Sequence, residues 1–136
     1  MVSYWLLKEE PEHYSFDNLL QDGKTIWSGV RNNLALKHMR TMKKGDLGFY
    51  YHTGKETAAV GIIKIVSDPY SDPQDNDPKL VVVDAVPVEK LKKPVTLTEI
   101  KSNPKFKNFE LVRIPRLSVM PVSKTLWDEI IKMSTK

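Results

Sequence analysis

The sequence predicts an α+β fold, a small, highly curved mixed sheet or β-barrel ringed by short helices. Three observations carry this expectation. The middle of the chain strings strand-type segments together, Leu47 to His52, Ala58 to Val66 and Leu80 to Val88, with no helical pattern between them. That arrangement argues against a doubly wound fold, which needs a helix after each strand. Short amphipathic helical patterns stand on both sides of the stretch. At 136 residues, one domain spanning 1–136 is expected, large enough for a core without staples.

Taken in order, Tyr4-Trp5-Leu6-Leu7-Lys8 reads as a strand apolar on both faces, hence inside a sheet covered on two sides. Alternation groups Trp5, Leu7 and Glu9 against Tyr4, Leu6 and Lys8, so Glu9 and Glu10 should diverge where Pro11 ends the strand. Ser15 can cap a helix from Phe16 to about Gln21, with Gly23 beyond its end. Asn32 or Asn33 looks like the cap of the next helix, Leu34 to about Thr41. Its periodicity places Leu34, Ala35, His38, Met39 and Met42 on one face and Lys37, Arg40 and Lys44 on another. Gly45-Asp46 turns into the three strands, which read as a meander. The acidic, Pro-rich stretch from Asp68 to Pro78 is a loop between the last two. Thr96-Leu97-Thr98-Glu99 has capping-box spacing for a short helix that Asn103-Pro104 stops. A strand around Glu110 to Ile114, an extended piece at Ser118 to Val122 and a last helix capped by Ser123 complete the expectation. Leu126, Trp127, Ile130 and Ile131 should face inward.

Composition narrows the function classes. Lysine and arginine number 21 against 17 acids, a mild bias toward polyanionic partners that strengthens outside the acidic loop. No apolar run approaches the ~20 residues of a membrane span, and Met1-Val2-Ser3 leads straight into strand-like sequence, so neither a membrane nor a secretory leader is expected. The absence of cysteine excludes disulfides and thiolate zinc sites. The expected location is cytoplasmic, in a bacterial-type cytosol or nucleoid, or nuclear in a eukaryote. His13, His38 and His52 lack ligand spacing, and Asp72 to Asp77 lacks the glycine and terminal glutamate of a calcium loop, so neither metal nor cofactor is called for. No nucleophile elbow or phosphate-binding glycine loop occurs, and Ser118 beside Arg116 has no activating base in view. No catalytic residue is expected.

The most informative segment is Trp27-Ser28-Gly29-Val30-Arg31-Asn32. It combines a π-face, a flexible turn, a guanidinium and a carboxamide, which together can stack on a base, read its edge and hold its phosphate. The same residues also describe a core tryptophan before an ordinary capped helix. Lys8-Glu9-Glu10-Pro11 is either the mouth of a surface pocket, where a glutamate accepts from an exocyclic amine, or a solvated loop. Tyr50-Tyr51-His52 brings phenols and an imidazole to one end of a strand, for acid–base chemistry, for binding, or only to satisfy a local carbonyl. Lys37, Arg40 and Lys44, extended by Lys43, form either a phosphate stripe or a solvated helix face.

Five spaced blocks resemble the EVE domain family: Tyr4 to Pro11, Trp27 to Asn32, Gly45-Asp46 through His52, Val60-Gly61-Ile62, and Leu111-Val112-Arg113 through Arg116-Leu117-Ser118-Val119. The resemblance covers nearly the whole chain and implies a PUA-like barrel, related to YTH domains, that acts as a non-catalytic reader of a flipped and modified nucleobase in DNA or RNA. It implies a pocket formed by Lys8, Glu9, Glu10, Trp27, Ser28, Arg31, Asn32, Tyr51, His52, Arg116, Leu117 and Ser118. Trp27 would be one wall of an aromatic cage. Arg31, Lys37, Arg40, Lys44 and Arg116 would hold flanking phosphates. Two positions depart from the family pattern. Leu80 follows Asp77-Pro78-Lys79 where many members carry a second tryptophan, which makes the opposing wall aliphatic. Glu9 replaces a small hydroxyl and favours an amino-bearing or cationic edge. The rival readings are a nucleoside-binding protein or enzyme using Glu10 and His52 as acid and base, and an interaction module whose pocket has lost its ligand.

Overall fold

A computed structural model describes residues 1–136. Strand β1 (Tyr4–Glu9) lies parallel to β3 (Leu47–His52) and antiparallel to β7 (Val119–Val122), so both its edges are hydrogen-bonded, as its two apolar faces require. The expected meander runs β3, β4 (Ala58–Ile65), β6 (Val81–Thr96), each antiparallel to the next. A three-residue strand, β2 (Thr25–Trp27), closes the far edge of β6, and β5 (Tyr70–Ser71) pairs with the start of β6. The spatial order is β2-β6-β4-β3-β1-β7. Helix α2 (Asn33–Arg40) touches both β7 and β6, and so fills the gap left between the two edges of the curled sheet.

In-register partners share a face. Leu6 and Phe49 therefore join Tyr4, Lys8 and Tyr51 on one side, under helix α5 (Lys124–Met133). Trp127 of α5 stacks on Phe49 at 3.9 Å and on Tyr4 at 4.7 Å between ring centroids. The other side carries Trp5, Leu7, Tyr50 and His52. There Phe16 of α1 (Phe16–Asp22) meets Tyr50 edge-on at 5.4 Å and lies over Gly61. A methyl group on Gly61 would sit 2.6 Å from Cε1 of that ring, so the glycine is what admits the helix.

Asp46 fastens the start of the sheet. It is 2% exposed. Its carboxylate accepts from Ser3 N at 3.0 Å, from the Trp5 indole at 3.0 Å and from Lys43 N at 2.9 Å, while its carbonyl accepts from Ile65 N at 2.8 Å. One side chain thus joins the N-terminus, β1, the turn after α2 and, through the backbone, β4.

Most elements match the expectation, including the caps at Ser15, Asn32, Thr96 and Ser123. Four do not. Glu110–Arg113 is helix α4, not a strand. The run Leu-Val-Arg-Ile suits either state; here the Arg113 and Ile114 amides donate to the Phe109 and Glu110 carbonyls at 3.0 and 2.7 Å, a helical turn that buries Leu111 beside Phe109. Strand β6 continues past Val88 to Thr96 because its prolines sit where the ladder is already broken, Pro87 at one register shift and Pro94 at another. Strands β2 and β5 are too short to show a period. On α2, Leu36 is buried and Leu34 is 39% exposed, a rotation of the expected apolar face. No helix is long and apolar enough to cross a membrane.

Candidate nucleic-acid interface

At the C-terminal ends of β1 and β3 two concavities meet. The smaller is a cavity of about 180 Å³ lined by Glu9, Tyr14, Thr25, Ile26, Trp27 and Ser28. Trp27 ends β2, and its ring stands edge-on to Tyr50 at 5.3 Å. Only 5% of the residue is exposed, so the indole is a wall of the cavity and part of the core at once. At ~30 Å³ per water, the space matches on the order of six waters, the scale of one planar ring system.

The cavity wall is rich in acceptors. Glu9 Oε1 takes the Glu10 N–H at 2.8 Å, which leaves its second oxygen unengaged by the protein. The Tyr14 hydroxyl donates to Asp22 at 2.7 Å, so the phenol presents its lone pairs. Burial, then the Asp22 carboxylate, pushes that phenol above its ordinary pKa. Tyr50, beneath, donates to the Tyr14 carbonyl. Burial raises its pKa strongly, with the nearby Glu9 charge adding to the shift, so it stays protonated. A ring that donates hydrogen bonds from its edge fits the Glu9 and Tyr14 side of this wall, while the Thr25 and Ser28 hydroxyls can donate as well as accept.

The second concavity, a groove of about 520 Å³, is lined by Glu10, Glu12, His52 and the 53–56 turn. Glu9 and Glu10 therefore diverge into different spaces, as alternation requires. His52 Nε2 accepts from the Phe16 backbone N–H at 3.1 Å, which leaves only Nδ1 for proton exchange with a partner. Burial holds the His52 pKa below its ordinary value, and protonation of Nε2 would break the bond. The native state thus prefers the neutral ring. The stability this gives is complete above the unfolded-chain pKa of ~6.5 and is lost as pH falls through the lower folded-state value. Lowering the pH from about 7 to about 5 is therefore expected to reduce the melting temperature. His52→Gln, which offers a carboxamide oxygen that does not titrate, should remove part of that fall. An undiminished fall would assign it to other groups, His38 among them, whose pKa burial also lowers.

The remaining expected residues are placed as follows. Lys8 and Tyr51 lie on the opposite face of the sheet from Glu9 and His52. Lys8 Nζ donates to the Pro115 carbonyl at 2.8 Å and sits 5.8 Å from the Tyr51 ring centre. The Ser118 carbonyl accepts from Lys8 N at 2.9 Å. Tyr51 and Leu117 are each 1% exposed and do not front the cavity. Arg116 is exposed. Leu80, expected to oppose Trp27, is 7% exposed and is not part of the cavity wall. Asn32 spends its side-chain oxygen capping α2 at Ala35 N, 3.0 Å away, and keeps its amide hydrogens free. Arg31 reaches Asp75 at 3.3 Å and Arg40 donates to the Lys79 carbonyl at 2.7 Å, while the Lys44 backbone N–H donates to Asp68 at 3.2 Å. The acidic loop thus lies along the basic face of α2. Lys37 is exposed and unpaired. Sequence reasoning missed Thr25 and Ile26, which reach the cavity because β2 forms, and Tyr14, whose carbonyl is held by the Tyr50 hydroxyl. No group of three or more His, Asp or Glu side chains converges as a metal site would.

Comparison with known proteins gives this geometry a context. The EVE domain profile matches residues 3–133. Human thymocyte nuclear protein 1 is 30% identical over 170 residues, which cover all of this chain and 76% of that protein. Rpa0253 from Rhodopseudomonas palustris is 40% identical with a TM-score of 0.93, covering 98% of this chain and 94% of its own. The human THYN1 protein, solved in complex with 5-methylcytosine-containing DNA, is 30% identical with a TM-score of 0.91, covering 98% of each chain. The curled half-barrel with five short helices is PUA-like, and the chain belongs to the EVE domain family.

Proposed function

We propose that this protein is a non-catalytic nucleic-acid-binding module that receives one flipped, modified base in the Trp27 cavity. The observation that carries the proposal is the cavity itself, with a π-face on one side and acceptors from Glu9, Tyr14 and Ser28 around it. Such a wall suits an exocyclic amine, which cytosine and adenine both present. The THYN1 complex with 5-methylcytosine-containing DNA, aligned over nearly the whole chain, supports a methylated cytosine as the first candidate. Flipping costs a few kcal/mol and least in single strands, a cost that stacking and two or three hydrogen bonds offset. Affinity should then be modest and higher for single strands.

The test is a fluorescence titration with oligonucleotides that differ only in one cytosine or 5-methylcytosine, beside the free modified nucleoside. Tighter binding of the modified oligonucleotide than of both others is expected. Equal affinity for the nucleoside would make the phosphates idle and favour a small-molecule binder. Equal affinity for the two oligonucleotides would remove the methyl group from the recognition.

A further inference from the structure

The cations of this chain are unevenly distributed. Residues 89–136 hold eleven lysines and arginines against five acids, whereas residues 1–88 hold ten against twelve. The Trp27 cavity lies in the acidic part, with Glu9, Glu10, Glu12 and Glu56 around the two concavities. On the α2 side Arg31 and Arg40 are held by the acidic loop, through Asp75 and the Lys79 carbonyl, while the ammonium groups of Lys37, Lys43 and Lys44 have no carboxylate within ion-pair distance. Lys55 is the one lysine or arginine lining either concavity, so a phosphate chain leaving the cavity meets most of its cations beyond those walls.

A second group of cations stands on a bulge in β6. Lys90 stands opposite Gly61 and Val95 opposite Ala59, so the four residues Leu91 to Pro94 face Val60 alone. Extra residues in one strand bend it and aim side chains out of the sheet. Leu91 turns inward and is buried, which leaves Lys92, Lys93 and Pro94 projecting to solvent. Beside them runs a groove of about 520 Å³ between β6, α3 (Leu97–Ser102), the 3-10 turn Pro104–Phe106 and the end of α5, with Lys93 and Lys136 on its walls. Its two carboxylates are already matched. Glu129 accepts from Lys105 at 3.1 Å and Asn103 at 3.0 Å, and Glu99 accepts from Thr96 and pairs with Lys93 at 3.5 Å. Lys92, Lys132 and Lys136 have no carboxylate within ion-pair distance. The bulge is at the Glu9 end of the sheet, since Glu9 pairs with His52, His52 with Ala58 and Ala58 with Thr96, whereas Trp27 pairs farther back on β6 at Val83; Lys90 is joined to Asp17 of α1 at 2.9 Å.

We infer that the β6 bulge and the adjoining end of α5, through Lys92, Lys93, Lys132 and Lys136, form the surface that carries the phosphodiester backbone flanking the base. The inference rests on the reading of the Trp27 cavity as a base site, and its test separates the two. Binding of single strands with and without one 5-methylcytosine is followed by anisotropy across a salt series. The triple variant Lys92→Gln/Lys93→Gln/Lys132→Gln is expected to weaken both strands alike and to flatten the slope of log affinity against log salt by about two units, at ~0.7 per lost single-strand phosphate contact. The ratio between the strands should stay unchanged. Trp27→Leu should do the reverse, collapsing the ratio and keeping the slope. An unaltered slope in the triple lysine variant would overturn the inference, and flattening by Lys37→Gln/Lys43→Gln instead would move the backbone to α2. A flattened slope with a ratio indifferent to Trp27→Leu would uphold this surface and sink the base site. Retention of anionic vesicles or a polyglutamate peptide with no binding of either strand would also overturn it.

Discussion

Trp27→Ala is expected to weaken binding of an oligonucleotide that carries the recognised base by roughly 5- to 150-fold, the equivalent of ~1–3 kcal/mol for one base–aromatic stack. The same substitution removes a ring that is 5% exposed and braces Tyr50, so ~3–5 kcal/mol of folding stability is also at stake. Two further variants separate these effects. Trp27→Phe keeps an aromatic face and should retain most of the affinity. Trp27→Leu keeps apolar bulk without a π-face, and should fold better than the alanine variant while binding as poorly. Circular dichroism melts beside the titrations give the assignment. Parallel losses of affinity and stability across all three would make the indole only a core residue.

Asp46→Ala should be the most damaging change at a polar side chain outside the cavity. It leaves the Ser3 and Lys43 amides and the buried Trp5 indole without their acceptor. Hydrogen bonds to a charged group contribute ~1.5–3 kcal/mol each, but they are not additive around one carboxylate, and about 3 kcal/mol in total is the reasonable expectation. Urea unfolding should show a lower midpoint at an unchanged slope. Asp46→Asn should lose less, because one oxygen remains, although its amide hydrogens then face a donor. A midpoint that does not move in the alanine variant would show that this junction is redundant.

What the sequence made legible depended on the range over which each signal acts. Caps at Ser15, Asn32, Thr96 and Ser123 are local chemistry, readable from a few adjacent residues. The burial of β1 on both faces was readable from five apolar and polar positions in a row. The helix at Glu110–Arg113 was not, since four mixed residues carry no period. The long reach of β6 was hidden because prolines at 87 and 94 look like breakers until their bulges are seen. At the candidate site, Glu9, Trp27 and Ser28 were legible by residue type and resemblance, and the structure brings them to one cavity. Thr25 was not, because its position follows from β2 pairing with a strand some sixty residues onward, and Tyr14 was not, because a hydrogen bond from distant Tyr50 holds its carbonyl. Leu80 shows the converse. A position assigned by resemblance to a cage wall is here buried and off the cavity, and the residues facing Trp27 come from other segments.

The most direct measurement is a two-dimensional NMR titration of the three tryptophan indole N–H signals with a short single strand bearing one 5-methylcytosine. Trp5 is bonded to Asp46 and Trp127 is stacked between Phe49 and Tyr4, both remote from the Glu9 cavity. The Trp27 signal, assigned by its absence in Trp27→Phe, should shift with saturation while the other two stay in place. Saturable binding with the Trp27 signal unmoved would contradict a base seated against that ring.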